Sequence, residues 1–62
     1  MRVVAVRDVE TFGGKVTFEV GHEFEVAEEY EHSYLVKTRR DPLLNKQHYA
    51  QLSKTDVELL ED

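Results

Sequence analysis

The sequence predicts an all-β fold: a small five-stranded barrel with a 3-10 turn before its last strand. Three observations carry this. Glu23-Phe24-Glu25-Val26-Ala27-Glu28 alternates charged and apolar residues with period two, which is the pattern of a half-buried strand. Residues 2–9 (Arg-Val-Val-Ala-Val-Arg-Asp-Val) are rich in β-branched side chains between polar ones. Gly13-Gly14, Gly21 and Asp41-Pro42 punctuate the chain at short intervals, as turns between short strands do.

Taken in order, residues 2–9 form the first strand and Phe12-Gly13-Gly14-Lys15 a turn, because adjacent glycines adopt positive φ at little cost. Lys15–Val20 then alternates, with Val16 and Phe18 on one face and Thr17 and Glu19 on the other. In residues 23–28 Phe24 and Val26 turn inward and the glutamates outward, and Tyr30-Glu31-His32-Ser33 reads as a turn. Tyr34–Arg39 is the next strand, with Tyr34 and Val36 inward. Asp41-Pro42 stops pairing, since proline has no N–H and biases its predecessor away from helix. Residues 43–47 fit either a long loop or one irregular helical turn, and His48–Leu52 a short strand. Ser53-Lys54-Thr55-Asp56 reads as a tight or 3-10 turn, and Val57–Leu60 as a closing strand in preference to a terminal helix capped by Ser53.

Sixty-two residues make one domain, residues 1–62, of a size whose core typically yields only ~3–5 kcal/mol of net stability. Cysteine is absent, so neither a disulfide nor a Cys-based zinc site forms, and a cytoplasmic location is expected. The longest apolar run, Val3-Val4-Ala5-Val6, falls far short of the ~20 residues of a membrane span, and no membrane partner is expected. No secretory signal is visible, and Met1 with the acidic Leu60-Glu61-Asp62 ending fits a gene product encoded whole. The net charge of −5 disfavours binding to phosphate backbones by the molecule as a whole. Charge comes in blocks. Residues 21–32 hold Glu23, Glu25, Glu28, Glu29 and Glu31 without a base, whereas residues 33–54 hold Lys37, Arg39, Arg40, Lys46 and Lys54 against Asp41 alone. If Phe24 and Val26 share a core with Tyr34 and Val36, the outward Glu23 and Glu25 face Lys37 and Arg39 across a hairpin, or a neighbouring register still matches acid with base. Such pairs contribute roughly 0.2–1 kcal/mol each and help fix register.

The segment Val16-Thr17-Phe18-Glu19-Val20-Gly21-His22-Glu23-Phe24-Glu25-Val26 resembles the SH3 superfold, in which an apolar-x-Phe strand meets a glycine turn and a second alternating strand. Ser53–Leu60 is similar to its 3-10 turn and closing strand. With Tyr34-Leu35-Val36-Lys37 as the middle strand, the resemblance spans most of residues 15–60. It implies a single SH3-like domain but not the proline-groove activity. Val6-Arg7-Asp8-Val9 replaces the aromatic-rich first-strand motif, Tyr34-Leu35 stands for the paired tryptophans, and Ser53 and Asp56 occupy the groove's proline and tyrosine positions. Length, an N-terminal strand near Met1 and the Gly-x-x-Phe-x-Val core make the chain look more like short SH3-like proteins of bacteria and phages.

His22, His32 and His48 lack ligand-like spacing, and no nucleophile triad or phosphate loop is present, so no enzyme activity, catalytic residue, metal or cofactor is expected. Two surface sets remain. Phe12, Tyr30 and Tyr34 are aromatics in or beside loops, a composition enriched at protein interfaces. Lys37, Arg39, Arg40, Lys46 and Lys54 with His48 and Tyr49 combine phosphate-binding cations and stacking rings. The leading expectation is a non-catalytic protein–protein interaction module, acting alone or as a homo-oligomer. The alternatives are a nucleic-acid-binding barrel using the basic 37–54 segment, or an acidic DNA mimic displaying the glutamates of residues 23–31.

Overall fold

The computed structural model describes residues 1–60; the acidic ending at Glu61 and Asp62 lies outside the described residues. The chain is all-β, with strands β1 (Arg2–Ala5), β2 (Val9–Thr11), β3 (Val16–Phe18), β4 (Glu23–Glu29), β5 (Ser33–Asp41), β6 (Lys46–Ser53) and β7 (Val57–Leu60). Five of them form an antiparallel sheet in the order β6-β5-β4-β1-β7, and β2 and β3 form a separate hairpin.

Two expectations change at this level. The strands number seven among the described residues, and they make two sheets without a closed barrel. The expected first strand splits because Arg7 and Asp8 have uses off the strand. Val6 N–H donates to the Asp56 carbonyl, Arg7 pairs with Asp56, and the Asp8 carboxylate accepts the Val20 N–H at 3.0 Å. The chain then re-enters as β2 in the second sheet. The large sheet keeps two free edges, since only the turn Lys54-Thr55-Asp56 joins β6 to β7. That turn closes with the Asp56 N–H donating to the Ser53 carbonyl and the Thr55 N–H to the Ser53 hydroxyl, and contains no 3-10 helix.

Residues 43–47 are neither a long loop nor a helical turn, and the strand expected at residues 48–52 starts earlier, at Lys46. This stretch is the end of a long hairpin, with Asp41 opposite Lys46 and only residues 42–45 between the strands. The Asp41 carboxylate accepts the N–H groups of Leu43 (3.0 Å) and Leu44 (3.3 Å), and Asn45 turns the chain back at φ 50°. Asparagine tolerates that left-handed conformation better than most residues.

The core is thin. Val3, Ala5, Val9, Phe24, Tyr34, Val36, Leu52 and Val57 are buried, with Phe18, Val26 and Ala50 packed against them. Alternation explains the choice: Val3, Phe24, Tyr34 and Val36 each sit one residue from a charged or polar neighbour, and Ala5 follows Val3 on the same face, as period-two strands require. The expected hairpin register holds where it matters most, with Val26 opposite Val36 and Glu25 opposite Lys37.

Candidate functional site

The β2–β3 turn is the most unusual stretch of backbone. Phe12, Gly13 and Gly14 run consecutively at φ 54°, 68° and 84°. Glycine takes such angles freely, but for a bulky aromatic residue positive φ is a strained outlier. The turn is held by Gly14 N–H to the Thr11 carbonyl and Lys15 N–H to the Phe12 carbonyl, while the buried Thr11 hydroxyl donates to the Val16 carbonyl. The Phe12 ring is thereby displayed, 42 % exposed, and meets the edge of the His48 ring at a centroid distance of 6.2 Å.

A bulge in β5 supplies the other wall. Lys37 pairs with Tyr49 and Arg40 with Gln47, so β5 spends one residue more than β6 between those points, and Thr38 and Arg39 together oppose His48. Strict alternation would put Arg39 on the outer face with Lys37. The extra residue re-aims it, a recognised use of bulges. Arg39, His48, Phe12, Lys15 and Val16 consequently line a depression of about 190 Å³. This corrects the expected Glu23–Arg39 pairing: Glu23 meets Arg2 at 3.5 Å instead.

Carboxylates sort the cations further. Arg2 pairs with Glu23, Arg7 with Asp56, Lys37 with Glu25 at 3.0 Å, and Lys54 with Glu29 at 2.7 Å. The remaining cations, Lys15, Arg39, Arg40 and Lys46, make no carboxylate pair among the described residues. All four lie on the β2–β3 turn or at the far end of the β5–β6 hairpin. The expected basic patch is therefore divided. Lys37 and Lys54 are neutralised, Tyr49 stands opposite Lys37, and Arg39, Arg40, Lys46 and His48 stay at the basic end.

The aromatic set divides as well. Tyr34 is only 8 % exposed, covered by the Lys54 ammonium 5.0 Å above its ring, so it belongs to the core. Tyr30 lies in the β4–β5 turn and donates its hydroxyl to Glu28 at 2.7 Å. Phe12 alone of the three enters the depression. Among the histidines, His22 packs between Phe18 and Phe24 and His32 stands beside Glu31. No cluster of three potential metal ligands forms among the described residues.

Resolved pKa shifts fall outside the depression and follow from exposed pairs. A hydrogen bond from Lys37 lowers Glu25, and the same bond raises Lys37; Glu28 raises Tyr30, and Glu29 raises Lys54. The depression itself is lined by the apolar Phe12 and Val16, the cationic Lys15 and Arg39, and His48, a mixture of apolar surface and positive charge. Lys15 and Val16 escape sequence reading, although Gly13-Gly14 marks the turn that displays them. No family matches the chain, and neither a curated protein nor a solved structure does. No helix among the described residues is long and apolar enough to cross a membrane.

Proposed function

We propose that this chain is a small non-catalytic protein-binding module of SH3-like build, whose ligand is an acidic protein segment anchored in the Phe12–Arg39 depression. The strand order β6-β5-β4-β1-β7, with the β2–β3 hairpin inserted between β1 and β4 and a short turn before β7, supports the SH3-like reading. The observation that carries the function is the meeting of two carboxylate-free cations, Lys15 and Arg39, on an apolar hollow built with a strained aromatic residue. Strained conformations persist where surrounding structure enforces them, and they concentrate at binding sites. A hollow of about 190 Å³ is smaller than the ~300–1,000 Å³ of small-molecule pockets and suits one inserted side chain. One phenylalanine and one histidine do not make an aromatic-lined proline groove, so proline-rich peptides are not the ligand.

The test is calorimetric titration with a peptide carrying a phenylalanine among glutamates. Binding that Arg39→Glu and Lys15→Glu each remove, while Lys37→Glu leaves it in place, supports the reading. Binding indifferent to Arg39 and Lys15 contradicts it.

One observation favours a second reading, single-stranded nucleic acid: the Phe12–His48 ring pair lies between cations, as base-stacking sites do. With about three or four phosphate contacts at ~0.7 each, log affinity would fall against log salt with a slope of only about −2 to −3. The DNA-mimic reading has less behind it, since Glu23, Glu25 and Glu29 are each taken up by a cation of this chain.

A further inference from the structure

The β5–β6 hairpin ends in a feature that the depression does not use. Leu43 is 94 % exposed and Leu44 is 71 % exposed, side by side at the tip. Apolar residues scattered singly over a surface are ordinary; here the turn is built to display two together. Pro42 fixes its own φ, and Asp41 accepts both leucine N–H groups. Asn45 returns the chain through the left-handed region, and its side-chain oxygen accepts from the Arg40 guanidinium.

Cations stand directly behind the leucines. Arg40 pairs with Gln47 and Lys46 with Asp41, adjacent positions of the ladder, so the two charges leave opposite faces of the hairpin and straddle the tip. Arg39 and Lys15 follow on the depression side. Asp41, the acid of the turn, is engaged by backbone N–H groups.

We propose that this tip is a peripheral docking element for an anionic lipid bilayer, independent of the protein-binding depression. Leu43 and Leu44 enter the acyl boundary, and Arg40 and Lys46, which do not line the depression, meet the headgroup charges. Strands rise about 3.3 Å per residue, which sets Arg40 and Lys46 roughly 3–10 Å behind the leucines. An apolar element buried about 5–10 Å into the interface leaves charges at that distance among the headgroups. Charge complementarity also fixes the orientation. The chain is acidic overall at −5, so an anionic surface attracts this end and repels the rest.

The experiment is co-sedimentation with phosphatidylcholine vesicles containing roughly 30 % phosphatidylserine, against vesicles of phosphatidylcholine alone. The full chain is expected to bind the anionic vesicles only, and less as salt rises. Leu43→Ser with Leu44→Ser should lower the partition coefficient about tenfold or more without moving the melting temperature, since neither side chain is buried. Arg40→Gln and Lys46→Gln should each cost about fivefold. Phe12→Gly should bind vesicles like the unmodified chain, and the leucine variant should keep its acidic-peptide affinity, so each site fails or survives separately. Equal binding to neutral vesicles, no binding to anionic ones, or leucine variants that sediment normally would overturn the proposal. So would leucine-dependent binding to duplex DNA without vesicle binding, which would make the tip a base-step wedge.

Discussion

Phe12 sits where the backbone favours glycine, and its neighbours Gly13 and Gly14 already occupy the same region. Replacing it with glycine removes a strain of about 1–3 kcal/mol and leaves a contact with His48 unmade. Phe12→Gly is therefore expected to match or exceed the unmodified chain in urea midpoint while losing acidic-peptide binding. A large loss of stability would make the ring a structural residue instead. Thr38 gives a second prediction at this scale. Its buried hydroxyl has no hydrogen-bond partner, so Thr38→Val should raise stability by up to about 1 kcal/mol in the same urea measurement. Phe24 is the opposite case, 2 % exposed and in edge contact with Phe18. Phe24→Ala should cost about 3–5 kcal/mol, comparable with the whole stability of a core this size, and backbone NMR of that variant should show an unfolded chain.

At the scale of elements, the β4–β5 hairpin was legible because its two signals agree. Apolar alternation set Phe24, Tyr34 and Val36 inward, and the charge blocks then matched acids with bases across the hairpin, which the structure realises as Glu25 opposite Lys37. The pair has a testable pH signature. Lys37 holds Glu25 below its usual 4.5, so the stabilisation is present above the unfolded carboxylate range and is lost as pH falls through the folded value. Lys37 is raised, so the pair's contribution also disappears as pH climbs through the lysine range. Glu25→Gln should lower the urea midpoint at neutral pH and coincide with the unmodified chain in strong acid. Residues 41–50 were not legible, for a physical reason. Asp41-Pro42 signals an end to pairing, yet the Asp41 carboxylate completes a four-residue turn that resumes it at once. The bulge at Thr38–Arg39 carried no sequence signal, because a one-residue slip in alternation is decided by what packs opposite it, here His48. That slip moves Arg39 from the outer face to the depression, so the candidate site could be read in its residue types but not in its grouping.

Over the whole molecule, charge is segregated. An acidic chain pairs its cations with carboxylates along β1, β4, β5 and the turn before β7, and leaves four cations without a carboxylate partner among the described residues at one end, beside Phe12, Leu43 and Leu44. At physiological salt, charges are screened beyond about 8 Å, so a ligand at that end responds to the local cations more than to the net charge. Calorimetry in rising salt should accordingly show acidic-peptide affinity falling, and a salt-independent affinity would point to the apolar lining alone. The most direct measurement is an amide shift map of isotope-labelled protein titrated with the phenylalanine–glutamate peptide and with its lysine-for-glutamate counterpart. If the depression binds acidic segments, shifts centre on Phe12, Lys15, Val16, Arg39 and His48 for the acidic peptide and none appear for the basic one. Shifts centred on the glutamates of β4, or equal responses to both peptides, would contradict that reading.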